Sequence, residues 1–193
     1  NNFSGLTGGA NAFGIYSTTP ATVNAAVYRN DINNISSTGT TTGFAAGITL
    51  TAGTTASIYN NFIRDLRAGS ANSTSDAVRG ISLLNTTAST NVNVYYNTIS
   101  LNATSTGTNF STSGIYHTAS GTATTAALDM RNNIIVNTST ANGTGNSAVF
   151  RRSGTAPNNY KTSSNNNLLY AGTPSATKLI FSDGTNNDQA LGT

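Results

Sequence analysis

Few residues in this chain could do acid–base work. The six aspartates, Asp31, Asp65, Asp76, Asp129, Asp183 and Asp188, are its only acids, and His117 is its only histidine. Glycoside hydrolysis needs two carboxyl groups roughly 5 to 9.5 Å apart. Asp31, Asp65 and Asp129 stand at different offsets from a recurring asparagine, so nothing in their spacing brings them to one point. Asp65 with Arg64 and Arg67 is the densest charged group, and Asp76 with Arg79 the next. Both are expected to be solvated loop pairs of small energetic weight. No Asp-x-Asp spacing gathers oxygens for calcium, there is no cysteine, and His117 stands outside any triad, so no metal, cofactor or catalytic residue is expected. The aromatic residues are better placed. Tyr28, Tyr59 and Tyr95 each lie two residues before Asn30, Asn61 and Asn97. Aromatic rings with hydroxyl edges suit sugar rings, so Tyr28, Tyr59 and Tyr95, with Arg64 and Asp65, form the candidate carbohydrate-binding set. The competing expectation is that the tyrosines pack as a ladder or lie beneath a loop.

The elements that hold these residues follow from two alternating phrases. One is a small residue followed by an aliphatic: Gly14-Ile15, Gly47-Ile48, Gly80-Ile81, Gly114-Ile115 and Ala148-Val149, spaced by 33, 33, 34 and 34 residues. The other is an aliphatic, two residues, an asparagine, one residue and another aliphatic. It occurs as Val27…Asn30…Ile32, Ile58…Asn61…Ile63, Val94…Asn97…Ile99 and Met130…Asn133…Ile135, with a weaker copy at Ser164…Asn167…Leu169. Asn1, Phe3 and Leu6 fit the same phrase, as if the chain began inside a repeat. A period held over five copies is the mark of a repeat fold.

Composition selects the kind of repeat. Asn, Thr and Ser together make 84 of 193 residues, and charged residues are 8 %, against roughly 25 % in average domains. Helix formers are scarce and β-branched residues plentiful, in short runs of period two such as GITLT and GISLL. One strand pair cannot bury its own face, so the units must stack. The expected fold is an all-β, right-handed parallel β-helix of about five to six coils, each near 34 residues. Its coils would span residues 1–171, with a degenerate last strand and an Asp183-Gly184 turn in 172–193. Ile15, Ile48, Ile81, Ile115 and Val149 are expected inside one sheet, and Tyr16, Tyr116 and Phe150 outside it. An aliphatic three before the asparagine and another two after it cannot both point inward along a straight strand. The strand is therefore expected to bend at Asn30, Asn61, Asn97, Asn133 and Asn167, residues that tolerate left-handed backbone and can hydrogen-bond from coil to coil. Four loops, beginning near residues 36, 67, 102 and 137, leave the coil at one corner and would cover one flank.

The net charge of +3 comes from nine scattered Lys and Arg, which is no nucleic-acid footprint. No window approaches the roughly 20 apolar residues of a membrane span. Thr-x-Thr pairs fall at unequal places in the repeat, which excludes a regular ice-binding array. The alternation of Gly-Ile strands with Asn-x-Ile corners resembles the right-handed parallel β-helix repeat proteins. The segments LDMRNNIIVNTS and SSNNNLLYAGTPSATKLIFSDGTNNDQAL resemble repeat regions of very large bacterial cell-surface proteins, often exported by type IX secretion. That resemblance implies an extracellular structural or adhesive segment: a rigid spacer, a surface-contact module, or a filament or surface-layer component that self-associates through its solenoid ends. The alternative is a β-helix that binds or degrades polysaccharide.

Overall fold

The computed structural model describes residues 1–18, 22–84 and 91–190, and no helix occurs among them. The chain forms a parallel β-solenoid of about five turns. The first turn is β1 (Asn2–Gly8), β2 (Asn11–Ser17) and β3 (Asn24–Tyr28). The second is β4 (Asp31–Ser37), β5 (Phe44–Leu50) and β6 (Thr55–Tyr59). The third runs through β7 (Phe62–Arg64), β8 (Leu66–Arg67), β9 (Ser73–Leu83) and β10 (Asn91–Tyr95). The fourth is β11 (Thr98–Leu101), β12 (Phe110–His117) and β13 (Ala127–Arg131). The fifth holds β14 (Ile134–Asn137) and β15 (Ser147–Arg152), with single bridges from Tyr160 and Asn165 in place of a third strand. β16 (Leu168–Tyr170) and β17 (Lys178–Ser182) open a further turn, and β18 (Asn187–Asp188) folds back antiparallel on β17 through the Asp183-Gly184 turn.

Equivalent strands stack into three sheets. The first is ordered β1-β4-β7-β11-β14-β16, with β8 on β4; the second β2-β5-β9-β12-β15-β17-β18; the third β3-β6-β10-β13. One continuous apolar core fills the space between them, including Ile32, Ile48, Ile63, Ile81, Ile99, Ile115 and Ile135. Ile15, of the first turn, is only partly buried.

Both phrases have one physical reason. A Cβ built on Gly14, Gly47, Gly80 or Gly114 would lie 2.4, 2.5, 2.6 or 2.4 Å from Cγ2 of Ile32, Ile63, Ile99 or Ile135. It would also sit 2.5 to 2.7 Å from a carbonyl oxygen of the neighbouring coil. The glycine of one phrase is the space into which the isoleucine of the other packs. Gly80→Ala is therefore expected to cost about 2 kcal/mol, as overpacking a close-packed core does. Gly69→Ala, where a Cβ meets nothing within 4 Å, should be neutral. Urea midpoints for the two variants check this, and equal midpoints would refute it.

The strand does turn at the asparagine phrase, but the bend sits one residue earlier than expected. Arg29, Asn60, Tyr96, Asn132 and Asn166 carry the positive φ, near 55°. The following asparagine is released from backbone strain and turns its amide along the axis. Asn1, Asn30, Asn61, Asn97 and Asn133 each donate from Nδ2 to Oδ1 of the next rung at 2.8 to 3.1 Å, ending at Asn167. From Asn30 to Asn133 the backbone N–H donates to that same oxygen. The second Nδ2 hydrogen of Asn61, Asn97, Asn133 and Asn167 goes back to Val27, Ile58, Val94 and Met130 carbonyls.

One register differs from expectation. Ile115 pairs with Phe150, not Val149, because Val149 faces Gly114. The outward position after it is then Tyr16, Thr49, Ser82, Tyr116 and Arg151, so Phe150 leaves that column and Arg151 replaces it. The four expected loops do lie at one corner, where they bond coil to coil, as in Asn72 N–H to the Thr40 carbonyl and Thr106 N–H to Gly69. A second excursion, 118–126, leaves the opposite corner between the second and third sheets. The last three residues of the 172–193 region lie outside the described residues.

Candidate functional site

Tyr28 and Tyr59 lie in register on β3 and β6 with Tyr95 following on β10. Alternation along each strand puts Val27, Ile58 and Val94 inward and the tyrosines outward. The Tyr28 and Tyr59 rings stack at 4.9 Å with 1° between planes. Stacking of this kind spends one face of each ring on its neighbour and leaves edges and hydroxyls toward solvent. Tyr95 is held differently. Its hydroxyl donates to Asp129 Oδ2 at 2.9 Å, and Arg131 sits 5.7 Å from its ring centroid. Burial and the Asp129 hydrogen bond both push the Tyr95 hydroxyl pKa up. Burial alone would raise Asp129, but bonds from Arg131, Tyr95 and Ser163 outweigh it and hold the carboxyl below its ordinary value.

Arg64 and Asp65 lie on the other side of the Asn61 corner, on the first sheet, and do not join the tyrosine face. Arg64 pairs with Asp31 at 3.1 Å and lies 5.1 Å over the Phe62 ring. Asp65 pairs with Arg67 at 2.6 Å. Asp65 has φ of 54°, like Asn34 in the coil before it, and this bend splits β7 from β8. β11 pairs with β7 but not with β8. The missing partner leaves a notch of about 410 Å³ lined by Arg64, Asp65, Arg67, Ser100, Asn102 and Thr104. Two of the expected site residues thus share a concavity with Arg67, which presents a guanidinium, and with three small polar side chains. The bulge that makes the notch had a faint sequence signal. Asn34 and Asp65 follow their ladder asparagines at the same four-residue offset, and no such residue stands at Leu101.

The Asp76 group departs most from the sequence reading. It is not a solvated loop pair: the Asp76 side chain is 1 % exposed. It contacts Arg151 Nε at 2.9 Å and Arg79 Nε at 3.7 Å. Spacing along the chain could pair Asp76 with Arg79, but only the corrected register of β15 brings Arg151 over them. Burial pushes the Asp76 carboxyl pKa up against the pull of Arg151 and Arg79, and lowers that of the Arg79 guanidinium. His117 is also buried, opposite Leu83 of β9. Among the described residues no three His, Cys, Asp or Glu side chains gather where they could hold a metal ion.

No protein-family model, curated protein or solved structure matches this chain.

Proposed function

We propose that this chain is a non-enzymatic extracellular segment of a large bacterial surface protein of the type IX cargo kind, working as a rigid spacer and surface-contact module. The supporting observation is the asparagine ladder, six rungs from Asn1 to Asn167 joined without a break. Hydrogen bonds aligned with the axis, repeated on every coil, resist bending and extension of a rod. The ionisable side chains favour the same reading, because Asp31, Asp65, Asp76 and Asp129 are each engaged by arginine. Purified protein incubated with a panel of polysaccharides should release no reducing or unsaturated ends. Turnover of any of them overturns the proposal. Strand edges at solenoid ends can template another chain, which makes filament or surface-layer assembly through those ends part of the same proposal. Light scattering over a concentration series tests it, and a strict monomer at high concentration would remove it.

A carbohydrate-binding role is the second reading, favoured by the notch that joins Arg64, Asp65 and Arg67 to Ser100, Asn102 and Thr104. Arg67→Ala should weaken glycan-array binding about tenfold, the loss of roughly one charge-assisted hydrogen bond. Tyr59→Ala should leave it unchanged if the notch is the site. The reverse pattern assigns binding to the tyrosine stack, and an array without a single bound glycan rejects both.

A further inference from the structure

We infer that the outer face of the second sheet carries an oxyanion-binding site built on Arg79, a site for the carboxylate or sulfate of an acidic glycan. This goes beyond the spacer reading and uses neither the tyrosine stack nor the notch. Two guanidiniums share one buried carboxylate here, Arg79 and Arg151 against Asp76. Their side chains are only 12 % and 15 % exposed, so one positive charge is left with little water to solvate it. Burying an unpaired charge is expensive, and an anion seated beside it relieves that cost.

The two arginines differ in what they have left to offer. Arg151 is consumed: Nε faces Asp76, Nη1 donates to Ser182 Oγ at 3.1 Å, and Nη2 donates to the Asn146 carbonyl and side-chain oxygens. Arg79 is held flat, 3.6 Å from the Tyr116 ring centroid and 5.2 Å from that of Phe44, with Nη1 donating to Ser82 Oγ at 3.1 Å. Its Nε is buried facing Asp76 at 3.7 Å and, like Arg151 Nε, makes no hydrogen bond, so an anion would be met at the guanidinium's outer edge. A guanidinium clamped between rings is rigid, which lowers the entropy lost when it binds a carboxylate or sulfate in its plane.

Beside it opens a cavity of about 220 Å³ lined by Thr74, Ser75, Arg79, Tyr116, Arg151 and Ser153, among others. One water takes about 30 Å³ of liquid volume, so an oxyanion of four or five heavy atoms fits. Two further charges, Arg152 and Asp183, border the cavity. The Asp183 carboxylate is turned into its own loop, where it accepts from the Thr185 and Asn186 N–H groups and the Asn186 amide. Three arginines against two aspartates leave the rim one charge positive. Rings continue from there, Phe44 to Phe13 of the preceding coil at 5.7 Å and Phe13 to Tyr16 within β2 at 4.8 Å. An aromatic track leading to a fixed cation suits a sugar chain with an acidic substituent better than a free ion.

The test titrates the whole protein, at constant ionic strength set with chloride, with sodium sulfate, a glucuronate oligomer and a neutral glucose oligomer. Saturable binding of the glucuronate oligomer, tighter than sulfate and absent for glucose, is the expected result. Sulfate bound as tightly as glucuronate assigns the site to a free anion and overturns the glycan assignment. Arg79→Gln should weaken glucuronate about tenfold, a charge-assisted contact in affinity terms. Asp76→Asn supplies the opposite sign. It should tighten glucuronate binding, and sulfate should raise its melting temperature more than chloride does. A merely structural ion pair predicts no anion effect in either variant, and that result, or no saturable binding to wild type, refutes the site.

Discussion

Replacing Asn97 by leucine should remove about 5 kcal/mol of folding stability, because several buried groups lose their partners together, each at about 1–3 kcal/mol. Asn97 is 1 % exposed and sits mid-ladder. Its Oδ1 accepts from the N–H and Nδ2 of Asn61 at 3.1 and 2.9 Å. Its Nδ2 donates to Ile58 O, Tyr95 O and Asn133 Oδ1 at 2.9, 3.1 and 3.0 Å. Leucine has similar bulk but leaves an N–H, an amide hydrogen and a carbonyl stranded in a site no water reaches. Aspartate is no remedy, since it keeps the acceptor, loses both donors and brings a charge into the core. At Asn167 the same substitution should cost only about 1 kcal/mol, because that rung, although it accepts from the N–H and Nδ2 of Asn133 in the same way, is partly exposed, so water can take over its bonds. Urea denaturation of the Asn97→Leu and Asn167→Leu variants compares the two. Equal losses would mean that the ladder bonds merely replace bonds to water and hold nothing together.

The contrast between these rungs explains what could be read in the sequence and what could not. A side chain that repeats the same contact in every coil must repeat in the sequence. Hence the Gly14-to-Gly114 series, Ile32 to Ile135 and the asparagine rungs were legible as a period, and with them the solenoid. The left-handed residue before each rung was not, because it is no single type: arginine, asparagine, tyrosine, asparagine, asparagine. Its conformation is imposed by the corner and needs no particular side chain. Register was legible where glycine marked it and was lost where Val149 replaced glycine. That single slip hid Arg151, and with it the burial of Asp76. The tyrosines illustrate a further limit. Period alone puts Tyr28, Tyr59 and Tyr95 in one column, yet Tyr95 leaves the stack for Asp129, a partner two positions along the next strand. Contacts between neighbouring columns depend on rotamers, which a period does not carry.

Acid should destabilise this fold through His117, by up to about 3 kcal/mol for a pKa displaced from 6.5 to about 4. The ring lies inward beside Leu83, and Arg152 pairs with it from the following coil. Nε2 lies 2.8 Å from the Ala126 carbonyl, so it carries the hydrogen and donates. Asn159 is consistent with that tautomer, since its two amide hydrogens already go to Thr118 O and Thr125 O at 2.9 and 2.8 Å. Nδ1 has no partner, and it is the atom that a second proton would have to occupy. Burial is the main cause of the depressed pKa, and the nearby Arg152 charge adds to it against the Ala126 bond. Because the folded pKa lies below the unfolded one, the unfolded chain takes up the proton first. Stability is therefore whole above about pH 6.5 and falls as the pH drops toward about 4. Asp129 and Asp183, both held low, add their own loss at the acid end. Asp76, held high, works the other way, because its folded form gains a proton first as pH falls. His117→Gln keeps an amide able to reach Ala126 O and removes the titrating ring. Urea midpoints for wild type and this variant, taken between neutral pH and about pH 4, should diverge in slope, with His117→Gln the flatter. Parallel slopes would show that the imidazole is free to protonate in the folded protein and that acid acts through the carboxylates alone.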